Sequence, residues 1–218
     1  MLFDYPRELR TNQALVVGMH ASFAKLGIAS PIFIGASNGG MVAQIYTQKY
    51  PNEVGGLVLV STGGMNAATL KTLKKKYFFV PLALWYMAHC NYERLKPRLI
   101  QSGMSHLRNE SAEEAAYARD MFETIFKDFQ QVKDVHITGL LADLMNQTPM
   151  TEADFRALKG RIFLIFPNQD FFSDQMQQDL IKLMQDPQIV YVSGGHLGAV
   201  LKAGDYVREI KKFLEGME

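Results

Sequence analysis

Four short apolar runs set the terms on which this chain can fold. They are "PIFIGA" (31–36), "GLVLVS" (56–61), "RIFLIF" (161–166) and "QIVYVS" (188–193). The first two are nearly continuous in apolar residues rather than alternating. A strand wetted on one side alternates, and a strand covered on both faces does not. The spacing predicts helices over 8–26, 38–50, 174–185 and 199–215, the first from Leu9, Val16, Met19, Phe23 and Leu26 and a stop at Gly27. Strands alternating with helices in this way predict an α/β fold with a mostly parallel sheet and flanking helices.

The alternation is interrupted once. Residues 64–158 are helical in pattern, rich in Met, Lys and aromatic residues, and contain no convincing strand. The expected organisation is therefore an α/β core from 1–63 and 159–218, with 64–158 inserted as a packed helical cap. A chain of 218 residues is long enough for one domain carrying such an insertion.

Bulk composition removes some functions. The formal net charge is +1, which gives no electrostatic footprint for nucleic acid. Cys90 is the single cysteine and cannot form an intrachain disulfide. Together with an N-terminus that does not read as a signal peptide, this points to the cytoplasm. His20, His89, His106 and His136 show no metal-ligand spacing and read as surface or cap residues; no metal is expected.

In a parallel sheet, ligands bind along the edge formed by the C-terminal ends of the strands. Ser37 follows the first run, Asp170 the third and His196 the fourth. A serine hydroxyl needs an adjacent base to act as a nucleophile. A neutral imidazole takes that proton and returns it to the leaving group, and a carboxylate fixes the imidazole tautomer. Ser37 also suits an N-cap at the start of a helix, and Asp174 is the alternative acid, although it reads better as a helix start. Gly35 and Gly39 flank the serine, where a sharp strand-to-helix turn would leave no room for side chains. The backbone N–H of Asn38 is the natural oxyanion donor.

Gly35-Ala36-Ser37-Asn38-Gly39-Gly40 resembles the nucleophile elbow of the α/β-hydrolase family. "YPNEVGGLVLVSTGG" resembles the strand and turn that follow it, "RIFLIFPNQDFF" the acid loop, and "GGHLGAVLKAGDYVREIKKFL" the histidine loop with its closing helix. The resemblance implies a serine hydrolase without cofactor, with Ser37, Asp170 and His196 catalytic, Asn38 on the oxyanion, and an ester of a small hydrophobic substrate. A carbon–carbon bond hydrolase is within its range, and a non-catalytic or impaired binding module of the same fold is the alternative. Serine at 37 argues against the dehalogenase and epoxide hydrolase branches, whose elbow carries aspartate. The same resemblance aligns "MLFDYP" with the end of a fourth strand, so three strands and a second oxyanion donor are expected ahead of this segment. The run at 31–36 would then be left with an open edge, which a strand-exchanged homodimer would cover.

"KTLKKKYFFVPLALWYM" (71–87) admits two readings. One is a cap helix whose apolar side roofs the site, which is the favoured expectation; the other is a basic, aromatic membrane-surface segment. Met41 is read as packing, with substrate contact as the alternative.

Overall fold

The computed structural model describes residues 8–105, 107, 110–127 and 129–217. "MLFDYP" and His106 lie outside the described residues. Strands β1 (Ile32–Ala36), β2 (Gly56–Val60), β3 (Ile162–Gln169) and β4 (Gln188–Gly195) form one sheet in the order β1-β2-β3-β4, and every pair is parallel. Helices α1 (Asn12–Leu26) and α2 (Asn38–Lys49) flank β1 in sequence. Between β2 and β3 the described residues form the α-helices α3 (Ala67–Lys76), α4 (Val80–His89), α5 (Tyr92–Met104), α6 (Ala112–Lys127) and α7 (Gln131–Leu144), followed by a 3-10 helix, Glu152–Leu158. Helix α8 (Asp174–Met184) joins β3 to β4, and α9 (Gly198–Leu201) and α10 (Ala203–Glu215) close the described chain. The α/β class and the parallel sheet are as the apolar runs predict.

The sheet is covered on two faces by alternate residues of the same strands. Leu57, Leu59, Ile162, Leu164 and Phe166 join one core with α2, α8 and parts of α3 and α7. Val58, Val60, Phe163 and Ile165 join a second core with Tyr206 and Phe213 of α10. All of β2 is buried, and β3 is buried from Ile162 to Pro167. The outer strands depart from expectation. Ile32 and Ile34 of β1 and Ile189 and Tyr191 of β4 are exposed. An outer strand has one neighbour, so an apolar run marks it as sheet without covering both its faces. Among the described residues no strand pairs with the free edge of β1.

Local chemistry sets the element ends. Thr11 caps α1 by accepting from the Ala14 N–H, and Gly27 ends it in the left-handed region at φ 70°. Ser173 caps α8 through the Met176 N–H, which places Asp174 in the first helical turn, favourable for an acid. The single final helix read at 199–215 is broken at Lys202 into α9 and α10. Strands β3 and β4 also run further than their apolar cores, to Gln169 and Gly195, with a register shift between Pro167 and Gln169. Proline cannot donate to a ladder, which accounts for an irregularity there.

Candidate active site

Strand pairing sets the three chemical residues along one edge of the sheet. Ala36 pairs with Val60, and the next residue, Ser37, donates its N–H to the Val60 carbonyl at 2.9 Å. Gln169 pairs with Gly195, so Asp170 and His196 are the next residues on adjacent strands. The extensions of β3 and β4 thus carry the acid and the histidine to one place.

Ser37 sits at φ 50°, ψ −119°, a conformation that L-residues rarely adopt. Its side chain makes no cap bond, so the N-cap alternative does not describe it. A Cβ on Gly35 would lie 2.7 Å from the Gly39 carbonyl oxygen and the Gly40 Cα. A Cβ on Gly40 would lie 2.7 to 2.8 Å from the Thr62 side chain, whose hydroxyl donates to the Ser37 carbonyl at 2.7 Å. Gly39 is different: nothing lies within 4 Å of its Cβ position. The tight glycines of this elbow are therefore 35 and 40, and the expectation for Gly39 is corrected. The clash at Gly40 comes from Thr62, just past β2, which the local pattern does not reveal.

His196 Nε2 lies 2.9 Å from Ser37 Oγ, and His196 Nδ1 lies 2.7 Å from Asp170 Oδ1. The Asp170 side chain is fully buried, and that of His196 is 19% exposed. Asp170 Oδ1 also accepts from the Phe171 N–H at 2.6 Å and the Phe172 N–H at 3.4 Å. A carboxylate bound on one oxygen by backbone donors and an imidazole has its orientation fixed. The imidazole is then set with its proton on Nδ1 and its lone pair toward the serine. Asp174, committed to the start of α8, is not in this chain of contacts.

Asn38 opens α2, whose first N–H groups have no intrahelical acceptor. Both Asn38 and Met41 line a cavity of about 250 Å³ that also borders Ser37 and His196. The rest of its wall is apolar: Leu73, Tyr77 and Val80 from α3 and its neighbours, Leu144 and Met145 near the end of α7, and Phe171 and Phe172. The helices between β2 and β3 therefore supply much of the wall. Lys76 lies with its Nζ 3.7 Å from the Phe171 ring centroid. Behind the histidine loop, burial pushes the Tyr206 hydroxyl up to about 12, so it stays protonated.

One contact has no signal in the sequence. Glu110, just before α6, accepts from the Gly195 N–H through Oε1 at 2.7 Å. Its Oε2 lies 3.4 Å from Lys202 Nζ, at ion-pair distance though without hydrogen-bond geometry. Its side chain is 2% exposed. Glu110 is thereby tied to the residue before His196, across a separation of 85 residues that no spacing rule addresses.

Among the described residues no group of histidine, cysteine or acidic side chains is arranged to hold a metal ion. His20 pairs with Glu53 at 2.9 Å and stacks on Tyr50, and His89 contacts the Trp85 carbonyl.

The family described as the alpha/beta hydrolase fold matches residues 19–198, and the chain belongs to it. The class predicted from the elbow and the following loops, an α/β hydrolase enzyme, is thus borne out. Among solved structures the fold is similar to a putative non-heme bromoperoxidase from Mycobacterium tuberculosis H37Rv, with TM-score 0.71 and 16% identity over 95% of this chain and 75% of that one. It is also similar to a thermophilic esterase from Thermogutta terrifontis, with TM-score 0.66 and 18% identity over 95% and 73% of the two chains. A carboxylesterase structure from the ammonia-oxidizing thaumarchaeon Nitrososphaera gargenis gives TM-score 0.65 at 15% identity, over 95% and 72%. No curated protein sequence matches the chain.

Proposed function

We propose that the chain is a serine hydrolase acting on an ester, or a related carbonyl compound, of a small hydrophobic substrate. The observation that carries this reading is the continuous contact from Ser37 Oγ to His196 Nε2 and from His196 Nδ1 to the buried Asp170. Ser37 Oγ attacks the carbonyl carbon as its proton passes to His196 Nε2. Asp170 stabilises the imidazolium that forms, and the Asn38 N–H faces the developing oxyanion. The tetrahedral intermediate collapses, and His196 returns the proton to the leaving alkoxide. Water, deprotonated by the same nitrogen, then attacks the acyl-enzyme; collapse releases the acid and restores Ser37.

The apolar wall sets the substrate class. A 150 Å³ apolar cavity holds benzene, so at about 25 Å³ per heavy atom a cavity of about 250 Å³ accepts about ten heavy atoms. In this reading 64–158 is a cap over the core of 1–63 and 159–218, and its helices roof the acyl group. A place in the cytoplasm rests on the lone Cys90.

The experiment is a p-nitrophenyl ester series of increasing acyl length, run on the wild-type chain and on His196→Ala. Activity is expected to rise from acetyl to medium acyl chains, fall for long ones, and be lost in the variant. An ester-hydrolysis rate unaffected by His196→Ala would overturn the proposal.

A further inference from the structure

The turn after α3 and the helix α4 present their apolar side to water. Phe78, Leu82 and Trp85 are 80%, 69% and 61% exposed, and Phe79 and Tyr86 are about half exposed. Residues three and four apart lie on one helix face, so 82, 85 and 86 form a stripe that 78 extends at its N-terminal end. On α4 the buried residues are Val80 and Met87, and Val80 is the one that borders the cavity. Within 71–87, then, Leu73, Tyr77 and Val80 line the cavity, while most of the apolar residues of α4 face outward. A scattered exposed apolar residue needs no explanation, but a contiguous patch marks an interaction surface.

Charge indicates what covers it. The chain as a whole carries 23 Lys and Arg against 22 Asp and Glu. Between Glu53 and Glu93, however, there is no acid, and the basic residues are Lys71, Lys74, Lys75 and Lys76. Lys71, Lys74 and Lys75 are exposed, and among the described residues none makes an ion pair. A second copy of the chain would bring the same lysines to a two-fold contact and set like charges together. A lipid surface meets both halves of the patch, with anionic headgroups for the lysines and the acyl boundary for Phe78, Leu82 and Trp85. Tryptophan and tyrosine rings favour that boundary. No helix among the described residues is long and apolar enough to cross a membrane, so the fit is to a helix lying on the surface.

We infer that the outward face of α3 and α4, from Lys71 to Tyr86, docks on an anionic lipid bilayer with α4 lying in the interface plane. The helix then stands between the bilayer and the cavity, with Leu82 and Trp85 toward lipid and Val80 toward the pocket. The docking claim does not depend on the chemistry of Ser37.

Trp85 is the only tryptophan in the chain and sits within the patch, so its emission reads the docking directly. The full chain is titrated with vesicles of phosphatidylglycerol and phosphatidylcholine in equal parts, and separately with pure phosphatidylcholine. A blue shift and quenching by brominated acyl chains are expected with the first and not with the second. At about fivefold per lysine, the Lys71→Gln, Lys74→Gln, Lys75→Gln triple variant is expected to lower the partition coefficient on the order of 100-fold. Leu82→Ser is expected to weaken binding with all charges kept, and circular dichroism establishes that both variants are folded. No shift on anionic vesicles, or partitioning unchanged in the triple variant, overturns the inference. A shift that grows with protein concentration without lipid overturns it in favour of a second copy. An equal shift with soluble polyglutamate overturns it in favour of an acidic protein.

Discussion

Replacing Asp170 by asparagine separates charge from geometry at this site. All three donors reach the same oxygen, Oδ1: the Phe171 N–H, the Phe172 N–H and His196 Nδ1. An asparagine oxygen in that place keeps the three contacts and the imidazole tautomer, so the charge is what is lost. At an effective dielectric of about 20, a unit charge pair 2.7 Å apart interacts by roughly 6 kcal/mol. The carbonyl dipole retains part of this, which leaves about 4 to 5 kcal/mol, or a factor of about 10³ to 10⁴ in the rate of acylation. The new amide nitrogen falls where Oδ2 lies buried without a hydrogen-bond partner, which costs roughly 1 to 3 kcal/mol of stability. The assay is the second-order rate of acylation by an activated ester at neutral pH, with thermal unfolding followed by circular dichroism. Asp170→Asn that folds with native spectra and acylates within tenfold of wild type would refute the electrostatic role given to Asp170.

Three further outcomes follow from neighbouring contacts. Gly40→Ala forces a Cβ against Thr62 and is expected to cost about 1 to 3 kcal/mol, whereas Gly39→Ala, with open space around it, is expected to be neutral or stabilising; equal melting-temperature losses would contradict the elbow packing. Glu110→Gln keeps an acceptor for the Gly195 N–H and should retain most acylation, while Glu110→Ala should slow it; Glu110→Gln as slow as Glu110→Ala would show that the Lys202 charge pair is what holds the loop. Burial pushes the Asp134 carboxyl up, although the hydrogen bond from Tyr92 opposes this. The native state thus holds this proton more tightly than the unfolded chain, so the contribution of Asp134 to stability is greatest at low pH and falls as pH rises through the raised value. Denaturant unfolding of Asp134→Asn across that range should show a flatter profile, and an unchanged slope would count against the assignment.

The sheet was legible because β2 and β3 are buried on both faces, and that condition writes a continuous apolar run. The runs at β1 and β4 look alike in sequence yet lie at the outside of the sheet, because strand order is not encoded in any one strand. Ser37, Asp170 and His196 were legible because each follows a strand directly, and parallel strands set those positions along one edge of the sheet. Gly40 was not, because its constraint is Thr62, on the next strand's loop. Glu110 was not, because it reaches Gly195 from a different element with no periodic relation to it. The outward face of α4 could not be read either: its apolar composition fits a roof and an exposed patch equally well, and only solvent exposure separates them.

The most direct measurement of the central claim is covalent labelling of the full chain by a fluorophosphonate, read by mass spectrometry of the intact protein and of its peptides. One phosphonyl adduct on Ser37, absent from Ser37→Ala and strongly slowed in His196→Ala, is the predicted result. An adduct that persists in Ser37→Ala, or a folded wild-type chain that takes no label, would contradict the assignment of Ser37 as the nucleophile.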